Sequence, residues 1–235
     1  MSNEFPPVWF ETFLSPDNAA PVERELAFVS RHLPVSEYRC LLDVPCGIGR
    51  HSGPLAALGY EVLGVDRSEA ALAVASKQYP SVQFLALDMF QLSSIRRTFD
   101  AVLCLWQSFG YGDAAQNRDM LAGMCQVLRP RGRVLLDIYN ADAVVTLPPE
   151  TTEQRAGRTI HTRRSMKDRR LTIELEYSDV AIVDKHDWEV FTPDQIVQLA
   201  ADVDLNVLLT CAWFDETIRP GSEHLRMQLL FERRS

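Results

Sequence analysis

Through the first 140 residues, short apolar runs alternate with segments whose apolar side chains recur every three or four positions. The runs are 40–44, 61–65, 82–87, 100–105 and 133–139, and each reads as a strand. Between them, 50–58 reads as a helix ended by Gly59, 69–77 as a helix capped by Ser68, and 117–128 as a helix followed by Arg129-Pro130. Upstream, Val22, Leu26 and Val29 keep helical spacing until Pro34 stops them. Trp9 and Phe13 lie four apart, so one helical turn places them on one face, either packed on the core or lying as an aromatic lid over a ligand. Strands free of polar alternation are buried on both faces, so the pattern predicts an α/β fold with a doubly wound, mostly parallel sheet.

After Asn140 the alternation breaks. Residues 158–166 and 171–183 are rich in Thr, Ile, Val and Tyr, which predicts a small antiparallel β insertion after the fifth strand. Thr192 and Pro193 open a further helix as cap and first position, and 205–213 and 225–231 close the chain as two strands. The 235 residues thus divide into an N-terminal helical segment (1–36), a core (37–140), the β insertion (141–190) and a closing helix with strands (191–235), all within one domain.

Composition narrows the function classes. A formal charge of −8 argues against a general nucleic-acid binder, whose affinity comes from clustered Lys and Arg. Seven basic residues against one acid in 155–170 are the exception, read as a solvated face or as a cationic rim recruiting an acidic partner. Five cysteines without a CxxC pair read as reduced, mostly buried thiols rather than metal ligands or a disulfide framework. Without a leader-like or membrane-length apolar segment, the expected location is cytoplasmic.

The chemistry concentrates where the first run ends. Asp43 is followed by Pro45, Cys46, Gly47, Ile48 and Gly49, a tight loop between strand and helix of the kind that brings backbone close to a nucleotide-like ligand. Three successive strands end in an acid, Asp43, Asp66 and Asp88, spaced 23 and 22 residues apart. In an open parallel sheet such acids face one crevice outside the strands' carboxyl ends, and a carboxylate there can accept from a ribose diol. A nicotinamide fingerprint needs a third glycine at position 52, where this chain has Ser52.

The strings LLDVPCGIGRH, VLGVDRS, FLALDMF, FDAVLCLWQSFGY and LRPRGRVLLDIYN, in this order, resemble the motifs of the class I S-adenosylmethionine-dependent methyltransferases. The resemblance covers about residues 38–140. It implies a seven-stranded Rossmann-like sheet whose last strand is antiparallel, with S-adenosylmethionine as cofactor lying across Gly47 and Gly49. It also implies Asp66, with Arg67 beside it, at the ribose, Asp88 and Met89 at the adenine, Leu105, Trp106 and Gln107 along the methionine portion, and Asp43 under the loop. Pro45 stands where the family usually has glycine, and Gln107 where related sequences often have asparagine.

Methyl transfer from a sulfonium is an in-line displacement, so positioning is the protein's main task. His51 and Tyr139 are the candidate catalytic groups, and Trp9, Phe109, Tyr111, His186 and His224 the candidate substrate contacts. The expected acceptor is a small molecule methylated on N or O, and the chain a monomer or homodimer; the alternatives are a binding module keeping the fold, or a macromolecule methyltransferase using the basic segment.

Overall fold

The computed structural model describes residues 5–13 and 22–234. The seven-stranded sheet is built from β1 (Cys40–Asp43), β2 (Glu61–Asp66), β3 (Gln83–Ala86), β4 (Phe99–Cys104), β5 (Leu128–Tyr139), β10 (Leu205–Ala212) and β11 (Arg226–Arg233). Its order is β10-β11-β5-β4-β1-β2-β3, with β1 to β5 parallel and β11 antiparallel to both neighbours. The order reverses between β1 and β4, so the crevice at their carboxyl ends is where this topology accepts a ligand.

Alternate residues of the central strands feed two cores. Leu42, Val102 and Val134 face one side, under α5 (Ala114–Gln126) and α7 (Pro193–Ala201). Leu41, Ala101, Leu103 and Leu135 face the other, under α2 (Glu23–His32) and α3 (Ser52–Ala57). Two buried faces explain why these strands read as unbroken apolar runs. Thr192 accepts from the Gln195 N–H while the Gln195 side chain accepts from the Thr192 N–H, so the predicted cap is a full capping box. Ser68 likewise caps α4 (Glu69–Gln78).

The insertion is larger than two runs suggest. It is a four-stranded antiparallel sheet of β6 (Glu150–Arg155), β7 (Arg158–Lys167), β8 (Arg170–Tyr177) and β9 (Val180–Glu189), in that order. The run 171–183 is divided by a turn at Ser178-Asp179, whose polar side chains mark the break, and β6 escaped notice because its residues are almost all polar. Helix α1 (Pro7–Phe13) packs on this sheet through Val8, against Ile160, Leu175 and Tyr177. Trp9 and Phe13 do share a face, their ring centroids 5.4 Å apart. Residues 14–21, between α1 and α2, lie outside the described residues.

The added sheet is seated on the core by a few strong contacts. Glu189 N–H donates to Gly110 O at 2.7 Å, and Arg170 reaches Gly112 O at 2.5 Å. Gly110 has φ +107°, and a Cβ there would lie 2.3 Å from Glu189 O, so only glycine admits this approach.

Candidate active site

A cavity of about 960 Å³ runs between the carboxyl ends of the central strands and the inner face of the added sheet. On the core side it is lined by Pro45, Cys46, Gly47, Ile48, Asp66, Arg67, Asp88, Met89, Leu105, Trp106 and Gln107. Across from them stand Trp9, Tyr111, Tyr139, His186 and Trp188, with His51 at the loop end. Asp43, Gly49, Phe109 and His224 do not line it. Phe109 is buried against Phe191, with centroids 5.8 Å apart, and His224 accepts from the Gly221 N–H in a turn.

The glycine loop is shaped by its neighbours. Gly47 has φ +53°, and a Cβ on it would meet nothing within 4 Å, so the loop leaves open space toward the cavity. Asp66 holds the loop from below: one oxygen accepts from Gly47 N–H at 2.8 Å, the other from Ser68 N–H at 2.9 Å. Each oxygen keeps a further lone pair for a hydroxyl donor. Asp88 caps the turn after β3, accepting from Phe90 N–H at 3.0 Å. Burial, with Asp43 and Asp66 nearby, pushes the Cys46 thiol well up, so it stands as a neutral thiol.

Asp43 acts from beneath the surface. It is fully buried, accepts from Ser52 Oγ at 2.5 Å, and its carboxyl is raised by burial. It fixes the start of α3 rather than meeting the cavity.

A second buried network supports the other half of the site. His51 Nε2 lies 2.5 Å from Glu25 Oε2, and Arg50 and Arg226 reach the same carboxylate at 3.4 and 3.5 Å. Burial alone would lift the Glu25 carboxyl, but the His51 hydrogen bond and the surrounding cations hold it below its ordinary range. Arg226 also pairs with Asp137, which accepts from Gln228 Nε2 at 2.7 Å and Trp106 N–H at 2.9 Å. To reach Asp137, Trp106 and Gln107 adopt left-handed φ values of 60° and 56°, a strain typical of functional loops. The Trp106 ring lies 4.1 Å from the Arg50 guanidinium carbon and 5.9 Å from that of Arg226. Burial raises the Tyr139 phenol against the pull of Arg226 and Arg164, so it stands as a neutral donor.

Glu25, Asp137, Arg226 and Gln228 were not singled out from the sequence. Asp137 carried a readable signal, since it is the one charged residue inside the apolar run LLDIY; Glu25, in an amphipathic helix, carried none.

Most cations of the basic segment are engaged locally. Arg158 pairs with Glu11 and Asp179, Arg163 with Glu174 and Glu176, and Arg169 with Glu189. No group of three or more His, Cys, Asp or Glu side chains among the described residues is placed to hold a metal ion. No helix among them is long and apolar enough to cross a membrane.

Residues 41–132 match the family model described as a methyltransferase domain. Through this core the chain is similar to methyltransferase domains. YqeM of Bacillus subtilis (strain 168) is 31% identical over 137 residues, covering 57% of this chain and 55% of the relative. The chain thus spans about half the length, or less, of the curated relatives it matches. In fold it is similar to an S-adenosylmethionine-dependent methyltransferase from Clostridium acetobutylicum, with TM-score 0.81 at 16% identity, covering 92% of this chain and 93% of the other. It is also similar to CalS10, an amino pentose methyltransferase from Micromonospora echinaspora with the methyl donor bound, with TM-score 0.73 at 22% identity and 99% of each chain covered.

The residues present fit the family's donor. Beyond the open space at Gly47 and the free lone pairs of Asp66, Trp106 lines the cavity and its Nε1 is buried with no hydrogen-bond partner among the described residues.

Proposed function

We propose that this protein transfers the methyl group of S-adenosylmethionine to a small molecule, on nitrogen or oxygen. The observation that carries the reading is the single cavity joining the glycine loop and acids on one wall to an aromatic chamber on the other. At about 960 Å³ it stands at the upper end of ordinary small-ligand sites, which suits a donor and a compact acceptor side by side. When bound, the sulfonium supplies an already activated methyl group.

The chain's own residues then have three tasks. Asp66 and Asp88 take the donor's sugar and base, and Gly47 admits close backbone approach. Trp106, Gln107 and Leu105 fix the methionine portion, held in turn by Asp137 and Arg226. The added sheet and α1 cover the acceptor and exclude water, so that positioning supplies the catalysis, an effect worth roughly 7–11 kcal/mol when reactants are well aligned. That Arg158, Arg163 and Arg169 are already paired favours a small acceptor over a polyanionic one.

Calorimetric titration tests the donor half. S-adenosylmethionine should bind at micromolar concentration and NADH should not, and Asp66→Asn, which keeps the side chain's size, should weaken donor binding at least tenfold. Unchanged affinity in that variant, or no binding to folded protein, would sink the reading.

A further inference from the structure

The aromatic chamber contains one polar device that donor binding does not use. His186 is buried on the inner face of the added sheet and lines the cavity. Its Nε2 lies 2.8 Å from Asp184 Oδ1, close in distance though not aligned as a hydrogen bond. Asp184 is itself buried and accepts from Tyr177 Oη at 3.2 Å. Phe5 stacks on the imidazole with centroids 4.4 Å apart, and Trp188 flanks it at 5.6 Å. The other ring nitrogen, Nδ1, has no hydrogen-bond partner among the described residues. A carboxylate on one nitrogen selects the tautomer protonated there and leaves the opposite nitrogen a bare lone pair. A buried polar atom without a partner costs free energy, which an acceptor molecule can relieve.

Extending the methyl-transfer reading, and resting on it, we infer that the acceptor is an amine and that His186, oriented by Asp184, takes its proton at Nδ1. Trp9, Tyr111 and Trp188 line the cavity as aromatic side chains able to stack on a cation, and Asp184 sets a carboxylate beside the imidazole, against the Arg155 and Arg164 guanidiniums on the same sheet. An amine arrives as an ammonium at neutral pH and has no lone pair to attack with. One N–H bond breaks, its proton passes to Nδ1, and its electron pair stays on nitrogen. That pair forms the bond to the methyl carbon as the carbon–sulfur pair passes to sulfur, leaving a methylated ammonium and a neutral thioether. The other titratable or charged groups lining the cavity are Arg164 on β7, in one cross-strand row with Ile173 and His186, Glu153 and Arg155 on β6, Tyr111 and Tyr139, and on the core side Cys46, Arg50, His51, Asp66, Arg67 and Asp88.

The test begins with nuclear magnetic resonance of histidine nitrogens in protein saturated with S-adenosylhomocysteine, with ethanolamine, glycine and glucosamine as amine probes and ethylene glycol as the hydroxyl control. The Nδ1 signal of His186 should move with at least one amine and stay fixed with the glycol. In Asp184→Asn the preference for protonated Nε2 should be lost. No response to any amine, or an equal response to the glycol, would overturn the inference. Calorimetry on the same sample separates the two levels: failure of S-adenosylhomocysteine to bind overturns the methyltransferase reading and this inference with it, whereas intact binding with a silent Nδ1 overturns this inference alone. His186→Gln should hold donor affinity within about twofold while lowering methyl transfer to the responding amine roughly 100- to 10,000-fold at pH 7. That deficit should shrink at pH 9, where free amine is more abundant; a deficit independent of pH counts against the proton-accepting role.

Discussion

Glu25 shows how much of the site depends on a residue that lines no part of the cavity. Its carboxylate is shared by His51, Arg50 and Arg226, and through Arg226 it is linked to Asp137 and to the backbone of Trp106. Removing one member of a buried ionic group leaves the others uncompensated, typically at about 3–5 kcal/mol. Glu25→Gln should therefore lower the denaturant midpoint strongly at pH 7. The pH dependence follows from the sign of the shift. The folded-state carboxyl lies below its ordinary value of 4.5, so its stabilisation is fully present above that value and is lost as pH falls through the folded one. The stability gap between wild type and Glu25→Gln should close on acidification below about pH 4.5. A gap that persisted unchanged at pH 3 would show that the carboxylate's charge is not what the network uses. Asp43 runs the other way. Its raised carboxyl makes ionisation in the folded state unfavourable, so Asp43→Asn, whose amide oxygen can still accept from Ser52, should gain stability relative to wild type as pH rises from about 3.8 towards the folded-state value. Paired thermal melts at pH 5 and pH 8 read this directly.

Among the elements, those of the core were legible because each carries its own local signal. Runs buried on both faces, Ser68 and Thr192 at helix starts, and Gly47 at the loop all act within a few residues of one another, and the observed strands and helices follow them closely. The acceptor chamber was far less legible. It arises where α1, the segment after β4, β5 and the added sheet converge, and the pairing of Asp184 with His186, two apart on one strand, is indistinguishable in sequence from a solvated strand edge. Phe109, beside a motif, and His224, in the C-terminal region, illustrate the converse: both attract a functional reading as candidate substrate contacts, yet one fills the core and the other closes a turn. The junction at Gly110 is where this scale can be tested. With φ +107° and Glu189 O in the space a Cβ would take, Gly110→Ala should destabilise the protein by about 1–3 kcal/mol. Faster amide exchange in β9 than in β4 should accompany the loss, since the contact broken is the one that seats the added sheet. Equal acceleration in both strands would mean that the two sheets open as one unit.

Taken whole, the molecule lines one cavity from two sheets, with the glycine loop and acids on one side and His186 and Trp188 of the added sheet on the other, so ligand binding must also report on how the two sheets hold together. A ligand that binds only the folded state stabilises it by mass action, by about 2.7 kcal/mol at one hundred times its dissociation constant. For a chain of this length each kcal/mol shifts the melting temperature by about 2–4 °C, so saturating S-adenosylmethionine should raise it by about 5–11 °C. Asp66→Asn should abolish most of that shift, because Asp66 both holds the glycine loop and offers lone pairs to the donor. His186→Gln should preserve it, because His186 stands on the opposite wall. If both variants lost the shift equally, the walls would not be independent: donor binding would require the closed arrangement of the added sheet, and the acceptor chamber would form part of the donor site. If only Asp66→Asn lost it, the core alone would capture the donor, leaving the added sheet and α1 to select what receives the methyl group.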